Sequence, residues 1–306
     1  MINVTAGRRR TSTALMATCV SALFLAGCGA ASTGGGNASA STTNVKKSAR
    51  LAAMLPEDIR SAGKISVATD PTYPPFESLD ADQKTIIGLD ADVIRAVAAR
   101  LGVKAEFKTT KFDSLIPGLA AHRFDLGISG MSDTPEREKQ VDFVDYFTIS
   151  GVALVRSGDA LAAAAKLTDL CGDHQVGVQL GTVQVDTAQQ AATECAGLGK
   201  RPFAVDKFPS IPDSALALTN KRVDAVLTDD VSAVNTVEQS KGGFEVAKMR
   251  FGKGPLGIVF SKESTQLRNA VKAALQELVG DGTYTDILKK HKLGAGAVEK
   301  ITVNLH

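Results

Sequence analysis

The sequence predicts an α/β protein of two domains, and two observations support this. Short apolar segments that fit buried strands alternate with segments whose apolar residues recur at helical spacing, which is the pattern of parallel sheets with helical connections. Of the 306 residues, 44% are hydrophobic and 22% are charged. This is enough apolar material for two ordinary domains.

The alternation can be followed along the chain from residue 51. Asp90 is the expected cap of the second helix, and Gly102 follows that helix as its expected end. The helix near the carboxyl end carries Leu267, Val271 and Leu275 on one face. The predicted strands are 64–68, 104–109, 125–129, 175–179, 203–208, 223–227 and 244–249. The predicted helices are 51–62, 90–101, 114–121, 183–193, 213–221, 230–239 and 264–279.

Residues 1–28 have the pattern of a targeting segment. Three arginines at 8–10 precede an apolar stretch, 14–25, that is shorter than the ~20 residues needed to span a bilayer. The stretch ends in Leu-Ala-Gly-Cys at 25–28, which resembles the lipobox cut by lipoprotein signal peptidase. We therefore expect a lipoprotein signal peptide with Cys28 as the lipidation site. A plain secretory peptide with an accidental cysteine is the alternative.

Residues 29–50 are the predicted flexible tether. This segment is rich in Ser, Thr, Gly, Ala and Asn and lacks an apolar period, so it cannot bury enough surface to offset its ordering entropy. A lipid-anchored domain on such a tether would reach a membrane partner while staying outside the bilayer. The expected location is extracytoplasmic, attached to the cell membrane through the lipid only.

Charge and cysteine content narrow the partners. Without residues 1–28 the chain has 32 basic and 33 acidic residues, and no basic run occurs, so we expect no nucleic-acid binding. Cys19 leaves with the signal peptide and Cys28 is lipidated, which leaves Cys171 and Cys195 as an exported pair that favours a disulfide. The four histidines are dispersed and no CxxC or HxxxH spacing occurs, so neither a metal nor a cofactor is predicted.

The stretch 128–137 runs from an apolar strand end through small residues into a helix start. Thr134 can cap the helix and Pro135 suits its first position, where the missing N–H costs nothing. Backbone N–H groups and the side chains of this stretch would then converge on a carboxylate, which a guanidinium binds bidentately. An ordinary turn with a surface arginine is the alternative. The predicted ligand residues here are Ser129, Gly130, Met131, Ser132 and Arg137.

The loop 69–77 follows the first strand, at the edge where α/β sheets place ligands. Its prolines stiffen it, so Tyr73 can present its ring as a wall of the site while Phe76 packs inward. Farther along, Thr182 and Val183 join a strand to a helix start, so backbone N–H groups there can complete a carboxylate site from the opposite side. Gln179 can add an amide contact.

Six motifs, taken together and in order, resemble the bacterial extracellular solute-binding proteins of family 3, the amino-acid receptors of ABC importers. The motifs are TDPTYPPFE at 69–77, GLDAD at 88–92, FDSLIPGL at 112–119, FDLG at 124–127, ISGMSDTPER at 128–137 and DGTY at 281–284. The resemblance covers roughly residues 51–291. It implies a two-lobed periplasmic-binding-protein-like fold of type II, hinged by two crossover strands, one of them at 255–261. Lobe 1 is then 51–150 plus 254–306, and lobe 2 is 151–253.

The resemblance also implies roles for three side chains. Phe112 matches the position whose ring closes over the ligand, and Asp229 matches the position whose carboxylate takes the α-ammonium. Asp70 matches a position that can meet a polar or cationic side-chain end, although capping its own turn is an equal alternative. Asp230 is the expected helix cap beside Asp229, and both acids could also be caps only. Asp133 departs from the family pattern by adding an acid beside the carboxylate site.

These roles predict a substrate-binding lipoprotein of an ABC importer, with a small-molecule amino acid and a permease as partners. An α-amino acid would bridge the two lobes, and Arg, Lys, His or Gln is the favoured ligand. We expect a monomer. We also expect no catalytic residues, because the nearest nucleophile-elbow pattern, around Ser129, fails at its last position and no phosphate loop occurs. A cyclohexadienyl or arogenate dehydratase on the same fold is the alternative.

Overall fold

The computed structural model describes residues 45–305. The predicted signal peptide, Cys28 and most of the predicted tether lie outside these residues. Among residues 45–305, no helix combines the length and apolarity that a membrane span requires.

Residues 45–305 fold into helices and strands that alternate over most of the chain. The helices are α1 Ala49–Ala52, α2 Glu57–Ala62, α3 Leu89–Leu101, α4 Leu115–Ala120, α5 Pro135–Glu138, α6 Val183–Gly197, α7 Ile211–Thr219, α8 Asp230–Gln239, α9 Thr265–Gly280 and α10 Thr283–Lys290. The strands are β1 Lys64–Thr69, β2 Thr72–Tyr73, β3 Glu77–Leu79, β4 Ile86–Ile87, β5 Lys104–Thr109, β6 Leu126–Ser132, β7 Val141–Arg156, β8 Gln175–Gln179, β9 Ala204–Phe208, β10 Ala225–Asp229, β11 Phe244–Val246, β12 Phe251–Ser261 and β13 Thr302–Val303.

Three differences between the predicted elements and the structure have identifiable causes. The predicted helix 51–62 is two helices, because Pro56 has no N–H to continue α1 and instead precedes α2. The prediction of Asp90 as the cap of α3 is wrong, since Gly88 holds that position and Asp90 is a buried helical residue. The strand β6 continues to Ser132, where it still pairs with Leu256 of β12.

Residues 45–50 fall inside the predicted tether but belong to the folded body. Ser48 caps α1 by accepting the N–H of Leu51, at 3.4 Å, and its own N–H donates to the carbonyl of Arg100 at 2.9 Å. Leu51 is fully buried in the core that contains α3. The folded body therefore starts a few residues before the predicted boundary.

Two long strands occupy the centre of the main sheet. The order is β5-β1-β6-β12-β7-β10-β8-β9, with β11 and β13 also paired to β7. The outer pairs β5/β1, β1/β6, β10/β8 and β8/β9 are parallel, whereas β12 and β7 run antiparallel to their neighbours. The first half of β7 pairs with β12 and its second half pairs with β10. The group β5-β1-β6 is thus attached through β12, and the group β10-β8-β9 is attached through β7.

The buried apolar residues form two principal cores. The larger one draws its residues from 51–149 and 256–301, and it contains Phe76, Tyr146 and Tyr284. The second draws its residues from 153–249. Each core therefore takes its residues from the range predicted for one lobe, and the exact lobe boundaries stay a prediction.

The predicted disulfide is confirmed. Cys171 and Cys195 are bonded, with their Cα atoms 5.7 Å apart. Cys171 follows the 3-10 helix Leu167–Leu170 and Cys195 lies in the last turn of α6, so the bond ties a connecting segment to a helix of the second core.

Replacing both cysteines should destabilise the protein without changing its fold. The bond closes a loop of 24 residues in sequence separation, and a loop of that size contributes about 3 kcal/mol by restricting the unfolded chain. We expect the double variant Cys171→Ser/Cys195→Ser to lose about this much free energy of unfolding in urea titrations. The unaltered protein under reductant is the control and should behave as the variant does; equal midpoints for oxidised protein and variant would contradict the assignment.

Candidate functional site

A cavity lies where the carboxyl ends of β1, β6, β8 and β10 meet. Eleven of the twelve predicted ligand residues line it: Asp70, Tyr73, Phe112, Ser129, Gly130, Ser132, Arg137, Gln179, Thr182, Val183 and Asp229. The twelfth, Met131, does not. Its side chain packs in an apolar cluster with Leu115 and Phe143, because alternate residues of a strand point to opposite faces.

Arg137 reaches the cavity from the first turn of α5. Thr134 caps this helix as predicted, by accepting the N–H of Arg137 at 3.3 Å. The guanidinium donates to the carbonyl of Ser132 at 2.7 Å and to that of Gly181 at 2.9 Å, and it lies 5.7 Å from the centre of the Phe112 ring. Burial lowers the pKa of Arg137 to about 10. The side chain therefore stays cationic at neutral pH and keeps donors that these two carbonyls do not use.

Asp229 reaches the cavity from the end of β10. One carboxylate oxygen accepts the N–H of Ser232 at 2.8 Å, so Asp229 is the cap of α8, and the other accepts the hydroxyl of Tyr73. The expectation that Asp230 is the cap is wrong, because Asp230 already has the helical backbone and accepts the N–H of Ser150 instead. Burial raises the pKa of Asp229.

Asp70 is buried against the cavity with both oxygens engaged. It accepts the N–H of Phe112 at 3.0 Å and the hydroxyl of Thr72 at 2.8 Å. The second bond lies within its own turn, which is the structural role considered from the sequence, while the side chain still lines the cavity. Burial raises the pKa of Asp70.

Ser129 and Gly130 have polar groups that are already committed inside the protein. The Ser129 hydroxyl donates to Glu77 and accepts the N–H of Asp70 at 3.1 Å, and the Gly130 N–H donates to Asp90 at 2.8 Å. The expectation that these groups converge freely on a carboxylate is therefore wrong. The buried acids Glu77 and Asp90 take these donors in place of a ligand, because buried carboxyl groups require hydrogen bonds.

The opposite wall of the cavity is the start of α6. The Thr182 hydroxyl donates to the carbonyl of Gln179 at 2.7 Å and does not cap the helix. The N–H groups of the first helical turn have no partner within a helix, so those of Val183 and its neighbour are available to a ligand. Gln179 is buried and its amide is 3.5 Å from the carbonyl of Pro209.

Four further residues line the cavity without having been predicted, and they are Ile149, Gln184, Ile211 and Thr228. Gln184 and Thr228 are sequence neighbours of predicted ligand residues, so their place in the same motifs could have predicted that they line the cavity. Ile149 and Ile211 are apolar residues that the sequence does not distinguish from core residues. Within residues 45–305, no cluster of three or more His, Cys, Asp or Glu residues could hold a metal ion.

Comparison with known proteins identifies the family. The bacterial extracellular solute-binding proteins, family 3, match residues 65–294. The chain belongs to this family. The predicted two-lobed α/β fold of type II periplasmic binding proteins is confirmed with it.

Two of the family's relatives are named for the amino acids they bind. The chain is 30% identical over 255 residues to the arginine-binding protein ArgT of Corynebacterium glutamicum, covering 83% of this chain and 82% of the relative. It is also 30% identical over 233 residues to the L-cystine-binding protein TcyJ of Escherichia coli K12, covering 76% and 84%. Both names describe binding proteins.

One solved structure connects this fold to catalysis. It is the ancestral amino-acid-binding protein AncCDT-1, a precursor of cyclohexadienyl dehydratase, with a TM-score of 0.67 and 33% sequence identity. The match covers 76% of this chain and 97% of that one. Its own description is that of a binding protein.

Asp133, the acid that departs from the family pattern, is buried next to the site. One of its oxygens accepts the N–H of Leu305 at 2.9 Å, which attaches the carboxyl-terminal segment to the end of β6. Burial, together with the charges of Asp145 and Glu138, raises the pKa of Asp133 to about 7.

Asp133→Asn should stabilise the protein at alkaline pH. The folded state holds the Asp133 proton more tightly than the unfolded chain does, so the protonated group contributes to the free energy of unfolding below about pH 4. This contribution decreases as the pH rises and is lost above about pH 7. Asparagine keeps the acceptor for Leu305 without this penalty. At pH 8 we expect the variant to be more stable than the unaltered protein by about 1 to 4 kcal/mol, which raises the melting temperature by roughly 3 to 15 °C, and we expect no difference at pH 4. A difference of the same size at both values would show that ionisation of Asp133 is not the cause.

Proposed function

We propose that the protein captures a polar or basic α-amino acid in this cavity and delivers it to the permease of an ABC importer. The observation that carries the proposal is one cavity lined by a guanidinium from one side and a carboxylate from the other. Membership of the family and the named ligands of its relatives support an amino acid as the ligand.

The α-carboxylate would bind between Arg137 and the start of α6. The guanidinium has donors in a planar fork that fits a carboxylate, and the free N–H groups of the helix start add partial positive charge. Arg137 also contacts the carbonyl of Gly181, next to that helix. A ligand carboxylate would therefore join groups from both predicted lobes and favour their closed arrangement.

The α-ammonium would bind at Asp229. The carboxylate keeps acceptor capacity beyond its bonds to Ser232 and Tyr73. A cation beside it would offset the cost of its burial. The Tyr73 ring, stacked on Phe76 at 5.1 Å between ring centres, forms the adjoining wall.

The ligand side chain would meet polar groups. Asp70 and Gln179 both line the cavity, and a cationic or amide end could bond to either. The two engaged oxygens of Asp70 retain lone pairs for a further donor. These contacts support a basic or amide amino acid over an apolar one.

Attachment to the membrane completes the proposal. We infer that Cys28 carries a lipid, so that the folded body from residue 45 is tethered outside the cell membrane and acts as a monomer. Palmitate labelling of the intact protein expressed in a bacterium, with Cys28→Ser as the control, would test the anchor.

A dehydratase is the second candidate, favoured by the resemblance to the precursor AncCDT-1. Both charged groups that would hold an amino acid are present in this chain, which favours binding without chemistry. Incubation of the purified protein with prephenate or arogenate tests this alternative. The appearance of an aromatic product above a protein-free control would support the enzyme, and its absence together with amino-acid binding would support the receptor.

Arg137→Ala should abolish capture and leave the fold intact. The change removes the charged fork, and we expect affinity to fall at least ~100-fold, since charge-assisted bidentate pairs contribute several kcal/mol when desolvated. Calorimetry with the best amino acid from a thermal-shift screen measures this. Arg123→Ala is the matched control, because Arg123 is exposed and lies over Phe124, 5.4 Å from the ring centre. Unchanged affinity in Arg137→Ala would refute the assigned role.

Asp229→Asn should weaken binding with little loss of stability. Asparagine retains an oxygen that can accept the Ser232 N–H and cap α8, but it carries no charge for the α-ammonium. We expect a loss of at least ~30-fold in affinity and a melting temperature within a few degrees of the unaltered protein. If stability collapses while affinity per folded molecule is retained, Asp229 is only a cap.

A further inference from the structure

Two carboxyl groups are buried side by side below the cavity. Glu77 and Asp90 are both fully buried, and they lie close enough together for the charge of Asp90 to raise the pKa of Glu77. The groups facing them are Asp70, Tyr73, Tyr146 and His291. His291 is bonded to Asp92 at 2.7 Å and acts on Asp90 only through its charge. Two negative charges at this depth would be prohibitively costly, so one carboxyl group must be neutral.

The hydrogen bonds identify which group is neutral. Asp90 accepts from two donors, the N–H of Gly130 and the hydroxyl of Tyr146, as an ionised carboxylate does. Glu77 accepts from the Ser129 hydroxyl through one oxygen only, and its other oxygen is buried without a donor. A proton on that second oxygen would make it a donor to Asp90 and leave no group unsatisfied. Burial and the charge of Asp90 raise the pKa of Glu77 well above its usual value, which agrees with Glu77 as the neutral group.

We propose that Glu77 is a neutral carboxylic acid in the working protein and a positioning residue that holds the cavity floor in its ligand-binding geometry. The inference deepens the proposed function and rests on it. Glu77 contacts no ligand; it acts through Ser129 on one side and through Asp90 on the other.

The residues that depend on this pair form one wall of the site. The Ser129 hydroxyl, oriented by Glu77, accepts the N–H of Asp70. Gly130, fixed by Asp90, adopts a φ of +53° under the Tyr73 ring, where a Cβ would lie 2.4 Å from a ring carbon. Loss of the shared proton would place two charges together and displace both contacts. Ligand affinity should therefore depend on the Glu77 proton although the ligand never touches it.

Glutamine and alanine at position 77 distinguish positioning from mere packing. Glu77→Gln retains an acceptor for Ser129 and supplies an N–H donor to Asp90, so we expect its affinity for the amino acid at pH 7 to stay within about threefold of the unaltered protein. Glu77→Ala leaves both partners unsupported and should lose at least tenfold. Glu106→Gln, at an exposed glutamate paired with Lys64 and Lys108, is the control and should change nothing. Equal losses in Gln and Ala, or no loss in Ala, would overturn the positioning role.

Infrared spectroscopy tests the proton directly and needs no ligand. The unaltered protein at pH 7 in D₂O should show the C=O band of a neutral carboxylic acid, which shifts when glutamate is labelled with ¹³C and is absent from Glu77→Gln. A protein without a neutral glutamate band at pH 7 would overturn the inference even if the variants failed to fold. Failure of the unaltered protein to bind any amino acid would count against the proposed function instead.

Discussion

The site depends on two opposite charges that share a cavity without neutralising each other. Among residues 45–305, neither Arg137 nor Asp229 forms a salt bridge. Each is instead held by neutral groups: Arg137 by two backbone carbonyls, and Asp229 by a backbone N–H and a phenol. Desolvation lowers the pKa of Arg137 and raises the pKa of Asp229, so burial disfavours the charged form of each. A zwitterion placed between them would relieve both costs at once, whereas an anion or a cation alone would relieve one.

The rest of the fold holds Arg137 and Asp229 on opposite sides of one cavity. The central strands β12 and β7 pair with each other. β12 also pairs with β6, which precedes α5 and Arg137, and β7 also pairs with β10, which ends at Asp229. Below the cavity, the pair Glu77 and Asp90 uses up the donors of Ser129 and Gly130. The proposed carboxylate site therefore consists of Arg137 and the start of α6, which is fewer groups than the sequence predicts.

Capping and helix-start rules predicted the features that depend only on neighbouring residues. The capping of α5 by Thr134 and the position of Pro135 follow from residues within one turn. The prediction of Asp230 rather than Asp229 as the cap of α8 is wrong because both residues are good caps and only the backbone angles distinguish them. The partners of Ser129 and Gly130 could not be foreseen either, since Glu77 and Asp90 are 52 and 40 residues away. Met131 belongs to the same motif as the residues that line the cavity, but strand alternation directs its side chain into the core.

The most direct test of the account compares three ligands that differ only in their charged groups. Calorimetry would measure L-arginine, agmatine, which lacks the carboxylate, and the corresponding guanidino acid, which lacks the α-amine. The account predicts that each analogue binds at least ~100-fold more weakly than the amino acid, because each leaves one buried charge of the protein without its counterpart. An analogue that binds as tightly as the amino acid itself would contradict the claim that a zwitterion is held between Arg137 and Asp229.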